Sequence, residues 1–173
     1  MSMRSILILL LLLPFFSMSQ NTRVFIKITD AAGRPINGDA MVKGFEKAIQ
    51  AYTTSSAGKN NTQFSFTMPV SGAAAPLKNA MSGNQRLLSA LVTVMNVDGS
   101  TGRLVTSYTI KMENIGVLAC SESMGCNNIM TTAVALLAGR IGWTYYQADK
   151  SGALSISQKY GWDAGANMAW NSF

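Results

Sequence analysis

"RLLSALVTVMNVDGSTGRLVTSYTIKMENIGVLACS", residues 86–121, is the stretch whose reading decides the fold. Two long runs rich in Val, Leu, Ile, Thr and Tyr flank "VDGSTGR", where Asp98-Gly99 and Thr101-Gly102 carry the turn chemistry that reverses a chain. Such runs on either side of such a turn predict a long antiparallel hairpin. After the cysteine-bearing segment "LACSESMGCNN" comes another long β-rich run, "NNIMTTAVALLAGRIGWTYYQAD", with Gly139 and Gly142 as the expected points of breakage or bulging.

Upstream, "TRVFIKITD" alternates Val24, Ile26 and Ile28 with Phe25 and Lys27, a strand with one strongly apolar face. "AAGRPINGDA" is a loop by its Gly33, Pro35 and Asn37-Gly38. The segment "AMVKGFEKAIQAYTTSSAG" supports two readings: Phe45, Ile49 and Tyr52 suit a helix, whereas Gly44 and the Thr-Ser run suit an extended chain. "NTQFSFTMPV" alternates Phe64, Phe66 and Met68 with Gln63, Ser65 and Thr67, a half-buried strand ended by Pro69. "SGAAAPLKNAMSGN" predicts a short helix, with Pro76 in its first turn and Gly83 as its stop. "KSGALSISQKYGWDAGANMAW" reads as a polar loop leading into an aromatic-rich tail. The expectation is a mainly β protein, one antiparallel domain with a single short α-helix.

The amino terminus carries an address. Ile6 to Phe16 is apolar without a break, follows Arg4, and leads to Ser17-Met18-Ser19, the three-part layout of a secretory signal peptide. A helix crossing a membrane needs about 20 apolar residues, so a permanent anchor is the weaker reading. Cleavage after Ser19 is expected, with residues 1–19 as signal peptide, residues 20–173 as the domain, and Gln20 as the new terminus. The product is then periplasmic or secreted.

Composition narrows the function. The net charge is +6, and its lysines and arginines are scattered, which describes a solvated basic surface and argues against nucleic-acid binding. Histidine is absent, removing the usual general base and triad partner. The eight acids fall mostly in turn contexts, and nothing in the sequence pairs them. "GRPING" and "GSTGR" match neither a dinucleotide fingerprint nor a phosphate loop. No catalytic residue, cofactor or metal site is therefore expected. Cys120 and Cys126 leave two readings open, a local disulfide and a pair of free thiols.

One motif remains: "KYGWD", Lys159, Tyr160, Gly161, Trp162 and Asp163. Together with the "FIKI" strand, the short helix between β segments and the long hairpin, it makes the chain resemble the Hcp family, the tube proteins of type VI secretion systems. The segments occur in the family's order from Val24 to Trp162. The resemblance implies a single-domain β-barrel of two packed sheets with a helix at one side. It implies a non-enzymatic subunit forming hexameric rings that stack into a hollow tube carrying effectors, with sheath, spike or effector proteins as further partners. It favours the extended reading of Met41 to Thr54, and places ring-stacking loops at Gly33 to Asp39 and Cys120 to Asn127. An exported monomeric binding or adhesin-like module on the same barrel is the alternative, since family members generally stay cytoplasmic until fired.

Overall fold

In the computed structural model, which describes residues 22–56, 62–99, 102–124, 128–149 and 153–173, the chain forms strands and one helix. In order these are β1 (Arg23–Thr29), β2 (Pro35–Ile36), β3 (Ile49–Ala51), β4 (Thr53–Ser56), β5 (Gln63–Pro69), α1 (Ala74–Ser82), β6 (Leu87–Val97), β7 (Leu104–Met124), β8 (Met130–Ala148), β9 (Leu154–Asp163) and β10 (Met168–Ala169). The expected hairpin is β6–β7, paired from Val97↔Leu104 back to Leu87↔Ile115. β1 lies along the other side of β6, from Arg23↔Met95 to Thr29↔Ser89.

All ten strands belong to one antiparallel sheet, and two corners fold it into facing walls. The first corner is in the longest strands. β7 and β8 pair with each other on both sides of Asn114; on the Glu113 and Arg140 side they are flanked by β6 and β9, whereas beyond Ala138 the outer neighbour of β8 is β5. Between these halves Asn114 takes a left-handed φ of 53°, and its expected partner Gly139 makes no ladder pair. A Cβ on Gly139 would sit 3.0 Å from the Asn114 amide nitrogen, so the bend needs a bare position there. Strands that cross from one wall to the other through such bends are how barrels turn corners. Of the two glycines expected to break β8, Gly139 does so; Gly142 is paired regularly with both neighbours.

At the second corner, β3 pairs with β1 and β4 pairs with β5. Tyr52, the single residue between them, donates its N–H to the Thr67 carbonyl at 2.8 Å. The sheet thus curls almost fully round without one uninterrupted ladder. Met41 to Thr54 is extended from Ile49 onward, while Met41 to Lys47 is a turn-rich loop whose Phe45 ring stacks on Phe25 at 4.3 Å. That loop buries Phe25, which alternation alone would have put on the solvent side of β1.

Between the walls lies one core, with Ile26, Phe64, Met68, Ile110, Met112, Leu136 and Ile141 among its fully buried side chains. Helix α1 has the predicted limits, Pro76 in its first turn and Gly83 at its C-cap, and inserts Ala74, Leu77 and Ala80 into that core. The last strand differs from the sequence reading. "KSGALSIS" was expected to be loop, yet from Leu154 the chain is β9, because Leu154 and Ile156 alternate with serines along the open edge of β8. The signal-peptide reading, with its cleavage after Ser19, falls outside the described residues, as does Cys126.

Candidate assembly surface

The Lys159–Asp163 motif ends β9, and alternation sends its residues to two faces. On the face that Trp143 and Ile141 present, the exposed Tyr160 stacks on Trp143 of β8, ring centroids 5.6 Å apart, and Trp162 lies opposite Ile141. Outward, Gly161 lies opposite Gly142, and Lys159 opposite Thr144. The tail from Ala164 folds back over this outer face. Trp170 donates its backbone N–H to the Gly161 carbonyl at 3.0 Å, and the Phe173 ring lies on the two glycines. Lys159 donates to the Phe173 carbonyl and holds its ammonium 4.3 Å above that ring, a cation–π contact. The motif therefore seats the tail: Gly161 supplies the bare floor, Lys159 a clamp, and Asp163 the turn.

Asp163 accepts the Ala166 N–H at 2.9 Å and the Arg140 guanidinium at 2.7 Å. The Ala166 N–H, followed by Arg140, holds its carboxyl below the ordinary range. Arg140 also lies 3.7 Å from Glu113, which pairs with Lys111 at 3.1 Å, so one row of charges ties β7, β8 and β9 across their outer face. Elsewhere acids close turns. Asp30 accepts the backbone N–H groups of Arg34 and Ala32, each at 2.9 Å, and Glu46 accepts that of Gly44 at 3.0 Å. Backbone donors lower both carboxyls, that of Arg34 leading for Asp30 and that of Glu46 itself for Glu46. A general acid at neutral pH needs the opposite shift. Among the described residues no group of three His, Cys, Asp or Glu side chains could hold a metal ion. No helix among them is long and apolar enough to cross a membrane.

What the molecule offers instead is surface. Beside the β7–β8 turn, Met124, Ile129 and Met130 are 64%, 53% and 42% exposed. At the other end of β8, where β9 begins, Leu154 and Ile156 are 45% and 56% exposed. Large apolar groups thus stand at both ends of the same strand. Of the loops the sequence pointed to, Gly33 to Asp39 is an ordered turn: Gly33 has a φ of 80°, Asp30 caps it, and Pro35–Ile36 adds β2 to the sheet. The other, Cys120 to Asn127, is not a loop at its start: Cys120 to Met124 is the end of β7, paired with β8, and 125–127 lie outside the described residues. The buried Cys120 Sγ lies 4.0 Å from the Ala74 carbonyl beneath α1, and burial raises its pKa. The sequence reading overlooked Trp170 and Phe173 as partners of the motif; the signal was the paired glycines, which matter only once β8 and β9 are known to be neighbours.

No known family profile and no curated protein sequence matches the chain. Solved structures do. The chain is similar to Hcp1 from Salmonella typhimurium, with a TM-score of 0.70 and 16% identity over 86% of this chain and 99% of that one. It is similar to Hcp1 of E. coli EAEC 042, with a TM-score of 0.62 and 22% identity over 78% of this chain and 96% of that one. It is also similar to the secreted protein Hcp3 from Pseudomonas aeruginosa, with a TM-score of 0.61 and 15% identity over 79% and 97% of the two chains. The chain has the Hcp fold.

Proposed function

We propose that this chain is a non-enzymatic structural subunit that assembles head to tail into hexameric rings, and that the rings stack into a hollow tube able to carry effectors. The observation that carries the reading is the pair of exposed apolar clusters at the two ends of β8, Met124, Ile129 and Met130 at one and Leu154 and Ile156 at the other. A ring needs two different faces on each subunit, so that one meets the other on a neighbour. The likeness to the Hcp proteins supports it, and so does the use of acids as turn caps and ion-pair partners. Export follows from the first nineteen residues, with Ser17 and Ser19 at the cleavage site and the tube built outside the cytoplasm.

The test is the state of the purified protein beginning at Gln20. Light scattering at rising concentration should show a shift from one subunit to six, and negative-stain images should show rings. A protein that stays monomeric throughout would overturn the assignment and move it to the exported binding module. Mass spectrometry of the secreted product checks the compartment separately: a terminus at Gln20 is expected, and one at Met18 or Ser19 would mean a cytoplasmic product.

A further inference from the structure

Strand β9 is weakly held. From Leu154 to Tyr160 every residue is exposed, and the ladder to β8 slips register between Tyr145 and Tyr146. Among the described residues its other edge gains a partner only at Trp162 and Asp163, where β10 pairs with it. The anchorage lies at that end. Gly142 and Gly161 face each other across β8 and β9, leaving a slot without side chains on the outer surface. The Phe173 ring fills it so closely that a Cβ on Gly142 would come within 2.7 Å of three ring carbons. Trp170, 6% exposed, packs on Phe173 at 4.8 Å between ring centroids, with the Lys111 ammonium 5.6 Å from its own ring.

Despite its burial, Trp170 is not part of the main core cluster. Its shelter comes from the outer face of the sheet, so this contact can open without breaching the core. The turn between β9 and β10 supplies a hinge: it contains Gly165, has Asn167 at a φ of 51°, and is pinned by the Asp163 carboxylate and the Gly139 carbonyl.

We propose that Ala164–Phe173 is a strap that opens and closes as a unit and sets whether β9 is docked on the sheet. Closed, Phe173 and Trp170 fill the slot, and β9 presents Leu154 and Ile156 in fixed positions. Open, β9 keeps only its ladder to β8 and frays from the sheet while the walls and core stay folded. Segments with few buried contacts and one exposed ladder open first in native proteins. The strap does not depend on ring assembly, since every contact in it lies within one chain.

Hydrogen exchange read by mass spectrometry, on dilute protein beginning at Gln20, tests it with two variants. Phe173→Ala removes the ring; Gly142→Ala raises the floor of the slot and leaves the tail sequence intact. In both, peptides covering residues 154–163 should exchange at least tenfold faster than in the unaltered protein, with peptides from β1 and β6 unchanged. If either folded variant leaves β9 as protected as before, or if exchange rises equally in β1, β6 and β9, the strap is wrong. The two substitutions act on opposite sides of the contact, so a failure of one to fold leaves the other to decide.

Discussion

At Gly161 the space for a side chain is already taken: a Cβ there would lie 2.3 Å from the Trp170 carbonyl oxygen and 2.5 Å from the Phe173 ring. The carbonyl is backbone and cannot swing away, so Gly161→Ala should destabilise the protein by about 1–3 kcal/mol, as overpacking does. Gly72, with nothing within 4 Å of its would-be Cβ, is the control; Gly72→Ala should stay within about 0.5 kcal/mol. Urea unfolding of the two variants checks the contrast. Asp163 gives a pH signature. Its folded pKa is depressed, so its contribution is present above the unfolded carboxylate value, about 3.9, and is lost as pH falls through the lower folded value. Unfolding midpoints of the natural protein and Asp163→Asn should therefore differ at pH 7 and converge below about pH 4. At this scale the sequence announced the motif but not its task. Lys159, Gly161 and Asp163 stood out by composition, whereas the partners that explain them, Gly142, Arg140 and Phe173, are fixed by strand register, which no local pattern specifies.

Among the elements, the corner of the long hairpin depends on one residue in an uncommon conformation. Asn tolerates the left-handed region and glycine does so freely, while a β-branched side chain does not. Asn114→Gly should be nearly neutral, and Asn114→Val should cost about 1–3 kcal/mol, measured by the same urea titration. Helix α1 depends on burial. Leu77 is fully enclosed, so Leu77→Ala should cost about 2–5 kcal/mol and loosen the helix first, visible as faster amide exchange in residues 74–82. The strands with strict alternation, β1 and β5, and the hairpin about "VDGSTGR" were legible because one buried face imposes period two. The helix was legible from Pro76 and Gly83. β9 was not, since Ser155, Ser157 and Gln158 make its first half read as polar loop and its seat is an edge created by β8. The loop covering Phe25 was not either, because its aromatic partner, Phe45, meets it only after the chain has turned back.

For the whole molecule, the proposed rings make a prediction about surface rather than stability. Replacing Met124 and Met130 together by Ser should leave the unfolding midpoint within a few degrees of the natural value, since both are largely exposed. Light scattering of that double variant should show the subunit alone at concentrations where the natural protein is hexameric. The architecture was readable from residues 86–121 and the order of segments around them. The two packed sheets were expected from the resemblance, but that they are one sheet bent at two corners was not, because one corner rests on a bend opposite Gly139 at Asn114, a residue that no local pattern marks. That bend also governs how the chain reaches its native state. Because β7 and β8 each run through both walls, neither wall can be completed before the other, and β1 must wait for β6, as β5 must for β8, each made much later in the chain. Topologies dominated by such distant pairings close slowly, in about milliseconds to seconds. Under the export proposed above, late closure is an advantage: β5 has no β8 to dock on, and the second wall stays open and so transportable, until the last third of the chain has followed.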